Sequence, residues 1–150
     1  MAKRRYTLYL DEHIDPAAKP IFEEVGFRCI RISESRYRGQ DEHDYVANLY
    51  AEGAVFVTGD QRFIEDVEEQ RMRHAGIIWI PATLLRDEKQ LLVAVMAGFL
   101  KGADLRQMKG IIMYLAHDGI HFRGRARDLL VYSIQSIQQD VNDALSELAE

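Results

Sequence analysis

Short apolar runs alternate with amphipathic segments along the first half of the chain. Four runs have the length and the β-branched or aromatic content of buried strands, at residues 6–10, 27–32, 54–58 and 77–81. Between them, three segments space their apolar residues as helices do and end at a glycine, at residues 15–26, 41–53 and 61–76. Pro20 falls inside the first of these segments, and this moves the predicted start of the helix toward Lys19.

Strands that alternate with helices predict an α/β fold, with a mainly parallel sheet of about four strands covered on both faces. In such sheets, ligands bind at the carboxyl ends of the strands. Asp11 and Glu12 directly follow the first predicted strand, and Asp60 follows the third. We therefore expect these acidic side chains to lie near one another at one edge of the sheet.

The pattern after residue 81 predicts a mostly helical extension over residues 83–150. Residues 83–102 form an amphipathic helix in this prediction, whereas residues 105–119 fit either a helix or a strand. GIHFRG, at 119–124, is typical of a short strand or a turn. Residues 128–150 are predicted to form a helix packed on its own domain, with a subunit interface as the alternative. The chain is interpreted as a single domain over 1–150, with its core at about 6–81.

The composition describes an ordinary globular chain, 47% hydrophobic and 29% charged, with a formal net charge of −5. This balance does not indicate nucleic-acid binding, although acids clustered around a metal would themselves make a chain acidic. Two basic stretches, MAKRR at 1–5 and HFRGRAR at 121–127, are interpreted as solvated surface. No segment has the ~20 apolar residues of a membrane span, so we expect a cytoplasmic protein without membrane contact.

Motifs for several other chemistries do not occur in the sequence. Cys29 is the only cysteine and lies in an apolar run, which predicts a buried structural thiol. The sequence has no zinc spacing, no G-x-S-x-G nucleophile and no glycine-rich phosphate loop. Three histidines, His74, His117 and His121, are interpreted as surface or core residues.

Acidic residues occur at three places where they could hold a divalent cation: Asp11 with Glu12; Asp41 with Glu42 and Asp44; and Asp60. Mg²⁺ and Mn²⁺ prefer oxygen ligands, and clustered carboxylates repel one another unless a cation neutralises them. His13 and His43 lie near these acids and could contact a metal or a phosphate. The alternative interpretation is structural, with Asp60 as a helix N-cap and the acids of 41–44 in the first turn of a surface helix. Spacing alone leaves open which of those three faces the site.

Four segments together resemble the PIN-like domains, and in particular their compact toxin-type ribonuclease branch: LYLDEHIDP, DEHDYVANLYAEG, AVFVTGDQRF and GIIWIP. The resemblance covers about residues 6–81. It implies a three-layer α/β/α fold and a metal-dependent endoribonuclease, often the toxin of a toxin–antitoxin pair. By position, Asp11 matches the first acid of the family, Asp41 or Glu42 the second, and Asp60 the third. Thr58 matches the hydroxyl residue beside the third acid.

The same resemblance implies a cofactor and partners. Mg²⁺ or Mn²⁺ would bind the scissile phosphate and lower the pKa of an attacking water. The implied partners are RNA and an antitoxin or another protein. A homodimer is the preferred assembly, because a nuclease this small needs more surface to hold RNA.

One position departs from the family pattern. Arg62 stands where the family commonly has a further acid, and Asp66, one helical turn on, is the candidate to replace it. Alternatively, Arg62 holds an RNA phosphate. The departure also motivates a non-catalytic PIN-like module that binds a protein or RNA through residues 105–150. A small-molecule phosphatase ranks last, since His13 stands where such enzymes often carry a second acid.

Overall fold

The computed structural model describes residues 6–81, 93, 94, 97, 105–116, 119–124 and 130–132. The strands are β1 Thr7–Leu10, β2 Arg28–Arg31, β3 Val55–Thr58, β4 Ile77–Trp79, β5 Ile112–Ala116, β6 Gly119–Arg123 and β7 Leu130–Tyr132. The helices whose two ends lie within the described residues are α1 Ala18–Glu24, α2 Glu42–Glu52 and α3 Gln61–Glu69. Two short 3₁₀ turns lie at Ile32–Glu34 and Leu105–Met108.

All of these strands belong to one sheet of seven, in the order β2-β1-β3-β4-β5-β6-β7. The pairs from β2 to β5 are parallel, and the last two pairs, β5–β6 and β6–β7, are antiparallel. The chain moves outward from β1 to β2 and then returns across β1 to form β3. The strand order therefore reverses between β1 and β3, and such a reversal leaves a crevice at the carboxyl ends of the two strands.

Side chains alternate along the central strands and so build a hydrophobic cluster on each face of the sheet. Leu8 and Leu10 of β1 pack with Phe22 of α1 on one face, while Tyr9 packs on the other. On that second face the apolar sides of α2 and α3 supply Tyr45, Val46, Leu49, Phe63, Ile64 and Val67. Double-sided burial explains why the strand sequences are almost continuously apolar.

The helix ends follow local sequence signals. Pro20 is the third residue of α1, within the first turn, where the proline nitrogen removes no hydrogen bond that the helix could make. The first helix therefore starts close to the predicted Lys19, and Asp15 accepts a hydrogen bond from the Ala17 N–H ahead of it. Asp41 and Asp60 are the N-caps of α2 and α3, and Gly53 ends α2 in the left-handed region at φ 71°. Asp60 thus has the capping role that the sequence offered as an alternative.

The predicted α/β fold with a mainly parallel sheet is confirmed, but the estimate of about four strands is wrong. Residues 105–119, which fitted either a helix or a strand, contain a 3₁₀ turn and β5. A helix over all of 128–150 is also wrong at Leu130–Tyr132, which is strand β7 paired with Ile120–Phe122 of β6. The apolar residues of that segment have helical spacing, but the LVY run is β-prone and pairs with the free edge of β6.

The other predicted helices of the last third lie mostly outside the described residues. In 83–102, positions 93, 94 and 97 are helical, whereas 133–150 falls wholly outside the described part of the chain. No helix among the described residues is long and apolar enough to cross a membrane.

Candidate functional site

Asp11 is held rigidly at the carboxyl end of β1. Its side chain is buried, and Oδ1 accepts a hydrogen bond of 2.8 Å from the backbone N–H of Glu12. Oδ2 accepts a second bond of 2.9 Å from the hydroxyl of Thr58, the last residue of β3. Glu12 itself is exposed, so its contribution to this arrangement is its backbone.

Thr58 connects Asp11 to Asp60. Its fully buried Oγ1 donates to Asp11 and accepts a bond of 3.1 Å from the Asp60 backbone N–H. The Asp60 carboxylate then turns back over the start of α3, where Oδ1 accepts from the N–H of Phe63 at 3.2 Å. The ends of β1 and β3 are thereby fixed relative to each other by side chains as well as by the sheet.

Glu42, the first residue of α2, lies near Asp11 and Asp60. Burial raises the pKa of its carboxyl to about 7, helped by a hydrogen bond with Asp60 and by the negative charges of Asp11 and Asp60. The three acids therefore converge from β1, from α2 and from the turn before α3.

The other two acids of this segment, Asp41 and Asp44, are both exposed. Asp41 is exposed, caps α2, and has its Oδ1 2.7 Å from Nδ1 of His43, whose Nε2 lies 2.9 Å from Oδ2 of Asp66. The backbone N–H and the ring of His43 lower the pKa of Asp41, while Asp41 and then Asp66 raise the pKa of His43. Asp66 was the candidate to replace the acid that is missing at Arg62. Its carboxylate is hydrogen-bonded to His43.

A cavity of about 430 Å³ opens beside the acids. Its polar lining includes Asp11, Asp60, His13 and Arg62, of which His13 and Arg62 are exposed. Its apolar lining is formed by Ile14, Ala18, Trp79, Ile80, Pro81 and Val93. Sequence reasoning missed Trp79, although its position at the end of a strand on the same edge was a readable signal.

The carboxylates of Asp11, Glu42 and Asp60 meet some, but not all, of the requirements of a site for a hard divalent cation. Three carboxylates at the ends of neighbouring elements supply the oxygen ligands that Mg²⁺ and Mn²⁺ prefer. The raised pKa keeps a proton on Glu42, and that proton would have to leave before the carboxyl group could bind a cation. Within the described residues, however, no three His, Cys, Asp or Glu side chains are already grouped as metal ligands.

Comparisons of the chain with protein-family models, with curated proteins and with solved structures find no match.

Proposed function

We propose that the protein is a metal-dependent endoribonuclease of PIN-like type, which cleaves RNA phosphodiester bonds with Mg²⁺ or Mn²⁺ bound by Asp11, Glu42 and Asp60. One observation carries the proposal. The Asp11 and Asp60 carboxyl groups lie where the strand order reverses and line a cavity large enough for part of a nucleotide, and the Glu42 carboxyl lies close enough to both for their charges to raise its pKa. RNA is the proposed substrate, and an antitoxin partner, a homodimer and a cytoplasmic location belong to the same proposal.

Each residue of the candidate site would have its own role in the proposed cleavage. A bound cation supplies Lewis-acid activation of water and neutralises phosphate charge. Asp11 is preset as a ligand by Thr58 and the Glu12 N–H, while Asp60 keeps the oxygen that does not cap α3. Glu42 has to lose its proton to bind a cation. Arg62, exposed at the cavity, would hold a phosphate of the RNA.

A second candidate, a non-catalytic PIN-like module, is favoured by a different observation. Asp11 anchors a turn, Asp41 caps α2 and Asp60 caps α3, so each of these acids has a structural use without a metal. Arg62 stands where a further acid was expected. Under this proposal the acids maintain the fold, and the protein acts by binding a protein or RNA partner.

Calorimetric titration of Mn²⁺ separates the two candidates. We expect saturable binding to the wild type, at least tenfold weaker binding to Glu42→Gln, and unchanged binding to the control Asp44→Asn. Glutamine keeps the shape of Glu42, and Asp44 is an exposed acid in the same helical turn. Parallel assays on single-stranded RNA should show cleavage that stops with chelator and in Asp60→Asn. Cleavage that continues in both would reject the nuclease proposal, and a folded wild type that neither binds Mn²⁺ nor cuts RNA would support the module.

A further inference from the structure

The amino ends of the parallel strands form the edge of the sheet opposite to the candidate metal site. His74 precedes β4 and Gly110 precedes β5, and the Gly110 N–H bonds to the carbonyl oxygen of His74 at 3.0 Å. Strand β6 runs antiparallel to β5, so its last residue, Arg123, pairs in register with Ile112, the first residue of β5. A cavity of about 420 Å³ lies at this edge, between these strand ends and the end of α3.

Positively charged side chains gather around this cavity. We call four of them the basic edge: Arg71, Arg73, Lys109 and Arg123. The first and the last line the cavity, and the other two are exposed and directly adjoin its lining residues His74 and Gly110 in the chain. Glu68 and Glu69, the last two residues of α3, supply two negative charges. This part of a chain with a formal net charge of −5 therefore has a local excess of positive charge.

Arg123 is positioned by its neighbours. Its guanidinium carbon lies 5.0 Å from the centroid of the Tyr114 ring, and Nη1 donates to both carboxylate oxygens of Glu68 at 2.9 Å. These contacts use one of the three guanidinium nitrogens. An arginine that is already oriented loses less side-chain freedom when it binds an anion. The stretch HFRGRAR was interpreted as solvated surface, but its first arginine is half-buried and held in place.

Arg71 occupies a position that usually belongs to glycine. It follows Gln70, the C-cap of α3, and its φ of 51° is the one positive value for a non-glycine residue in the described part of the chain. The N–H of Met72 bonds to the carbonyl oxygen of Val67 at 3.0 Å, as in a Schellman ending. At the end of α2, Gly53 takes the left-handed position. Glycine at 71 would end α3 without backbone strain, so the arginine there points to a use of its side chain.

We propose that the basic edge binds the phosphate backbone of an RNA strand, at a second site on the opposite edge of the sheet from the acids. The arginine fork matches phosphate oxygens, and cations that neutralise neighbouring phosphates gain affinity because counterions are released. The choice of RNA as the polyanion rests on the proposed function. The inference adds a binding surface away from the site of cleavage, and Arg71 and Arg123 are its central residues.

Anisotropy of a labelled RNA of about 12 nucleotides tests the inference in chelator, where no metal supports cleavage. The logarithm of the wild-type association constant should fall with the logarithm of salt concentration at a slope of about −2 to −3, since each neutralised phosphate contributes about −0.7. Arg71→Gly should bind about fivefold more weakly at about 50 mM salt and lose about 0.7 of that slope. Its urea midpoint should stay the same or rise, because glycine relieves the strain at this φ, so a damaged fold would not explain the weaker binding.

The matched control is Arg28→Gln. It removes an exposed arginine from β2, the outermost strand at the other side of the sheet, and should leave RNA binding unchanged. Equal losses in Arg28→Gln and Arg71→Gly would indicate attraction to any surface cation and would overturn the inference. Wild-type affinity in Arg71→Gly, or no binding of RNA by the wild type, would overturn it as well.

Competition identifies the class of ligand. We expect unlabelled RNA to displace the probe far better than a glutamate oligomer or inorganic phosphate at equal charge concentration. Equal displacement by the glutamate oligomer would assign the basic edge to an acidic peptide, and equal displacement by inorganic phosphate would assign it to a single phosphate; either result rejects an RNA site. RNA binding that depends on Arg71 in chelator supports the inference even if Mn²⁺ binding and cleavage fail, whereas Mn²⁺-dependent cleavage without any effect of Arg71→Gly supports the nuclease alone.

Discussion

The hydroxyl of Thr58 donates a hydrogen bond of 2.9 Å to Oδ2 of Asp11, and these two residues are 47 positions apart in the chain. The bond joins the carboxyl ends of two neighbouring parallel strands inside a buried environment. It orients one candidate metal ligand, and through the Asp60 N–H it also positions the turn that carries another. A single hydroxyl thus connects the stability of the fold to the geometry of the site.

Replacing this hydroxyl tests that connection. Thr58→Val keeps the shape of the side chain but leaves Asp11 Oδ2 and the Asp60 N–H without their buried partner, and we expect a loss of about 1–3 kcal/mol in the free energy of unfolding. Thr58→Ser is the matched control, because it keeps the hydroxyl and loses only a methyl group. Urea titrations of both variants measure the difference. A valine variant as stable as the serine variant would show that the hydroxyl is not needed.

Glu42 should make stability depend on pH. Its pKa is raised in the folded state to about 7 from an ordinary 4.5, so it favours the fold fully below pH 4.5 and loses that contribution as pH rises through about 7. Glu42→Gln should remove this loss and be more stable than the wild type at pH 8, by on the order of 1 kcal/mol once partial exposure is considered. Unfolding in chelator at pH 5 and pH 8 measures it. A wild type that gains stability over the variant between these values would contradict the assignment.

Metal binding at the same carboxyl should release a proton. Because Glu42 has to ionise before it can bind a cation, the apparent affinity for Mn²⁺ should rise with pH and level off above about pH 7. Calorimetry at pH 6 in two buffers of different ionisation enthalpy gives the number of protons released. In Asp44→Asn this number should be unchanged. An affinity that is independent of pH between 5.5 and 7.5 would exclude Glu42 as a ligand.

His43 holds the first turn of α2 against α3 through Asp41 and Asp66. Both acids raise the pKa of His43, so its stabilising contribution is complete below its ordinary value near 6.5 and is lost as pH rises through the higher folded-state pKa. His43→Ala should therefore destabilise the protein more at pH 5.5 than at pH 8.5, by roughly 0.5–1 kcal/mol in this exposed setting. Thermal unfolding at the two pH values provides the comparison, and an equal loss at both would indicate packing alone.

Gly76 is required where β4 begins. Its φ is 132°, and a Cβ built there would lie 2.8 Å from Cβ of Met108 and 3.0 Å from the Met108 carbonyl oxygen. Gly76→Ala should cost about 2–4 kcal/mol, because backbone strain and a steric clash add. Gly26 also has a positive φ, of 104°, but open space around it, so Gly26→Ala should cost only about 1–2 kcal/mol. The urea midpoint of Gly26→Ala measures the cost of backbone strain alone. The further loss in Gly76→Ala measures the steric clash with Met108.

The sequence predicted the elements of residues 6–81 well because each had its own local signal. Gly53 ends a helix, Asp60 caps one, and the doubly buried strands are continuously apolar. Which of Glu42 and Asp41 lies near Asp11 and Asp60 was not predictable, since it depends on which residue becomes the N-cap of α2 and on the hydrogen bonds of His43 to Asp41 and Asp66. The bond from His43 to Asp66 joins residues 23 positions apart in the chain, and periodicity does not record it.

Strand β7 was missed for a related reason, whereas a strand had been left open in 105–119 and in GIHFRG, where β5 and β6 lie. The LVY run at 130–132 is β-prone but lies among apolar residues at helical spacing, and its pairing with β6 determines that it forms a strand.

Strand β4 has a partner on each side, β3 before it in the chain and β5 after it. Ile77 and Ile78 are completely covered in the sheet, and their backbone groups on the β5 side are paired with residues near Ile112 and Met113. A fragment ended at residue 81 would carry all the candidate acids, yet it would turn β4 into a bare apolar edge open to other copies of itself. Such a fragment is expected to aggregate, so the half of the sequence that holds the chemistry depends on the other half for its solubility.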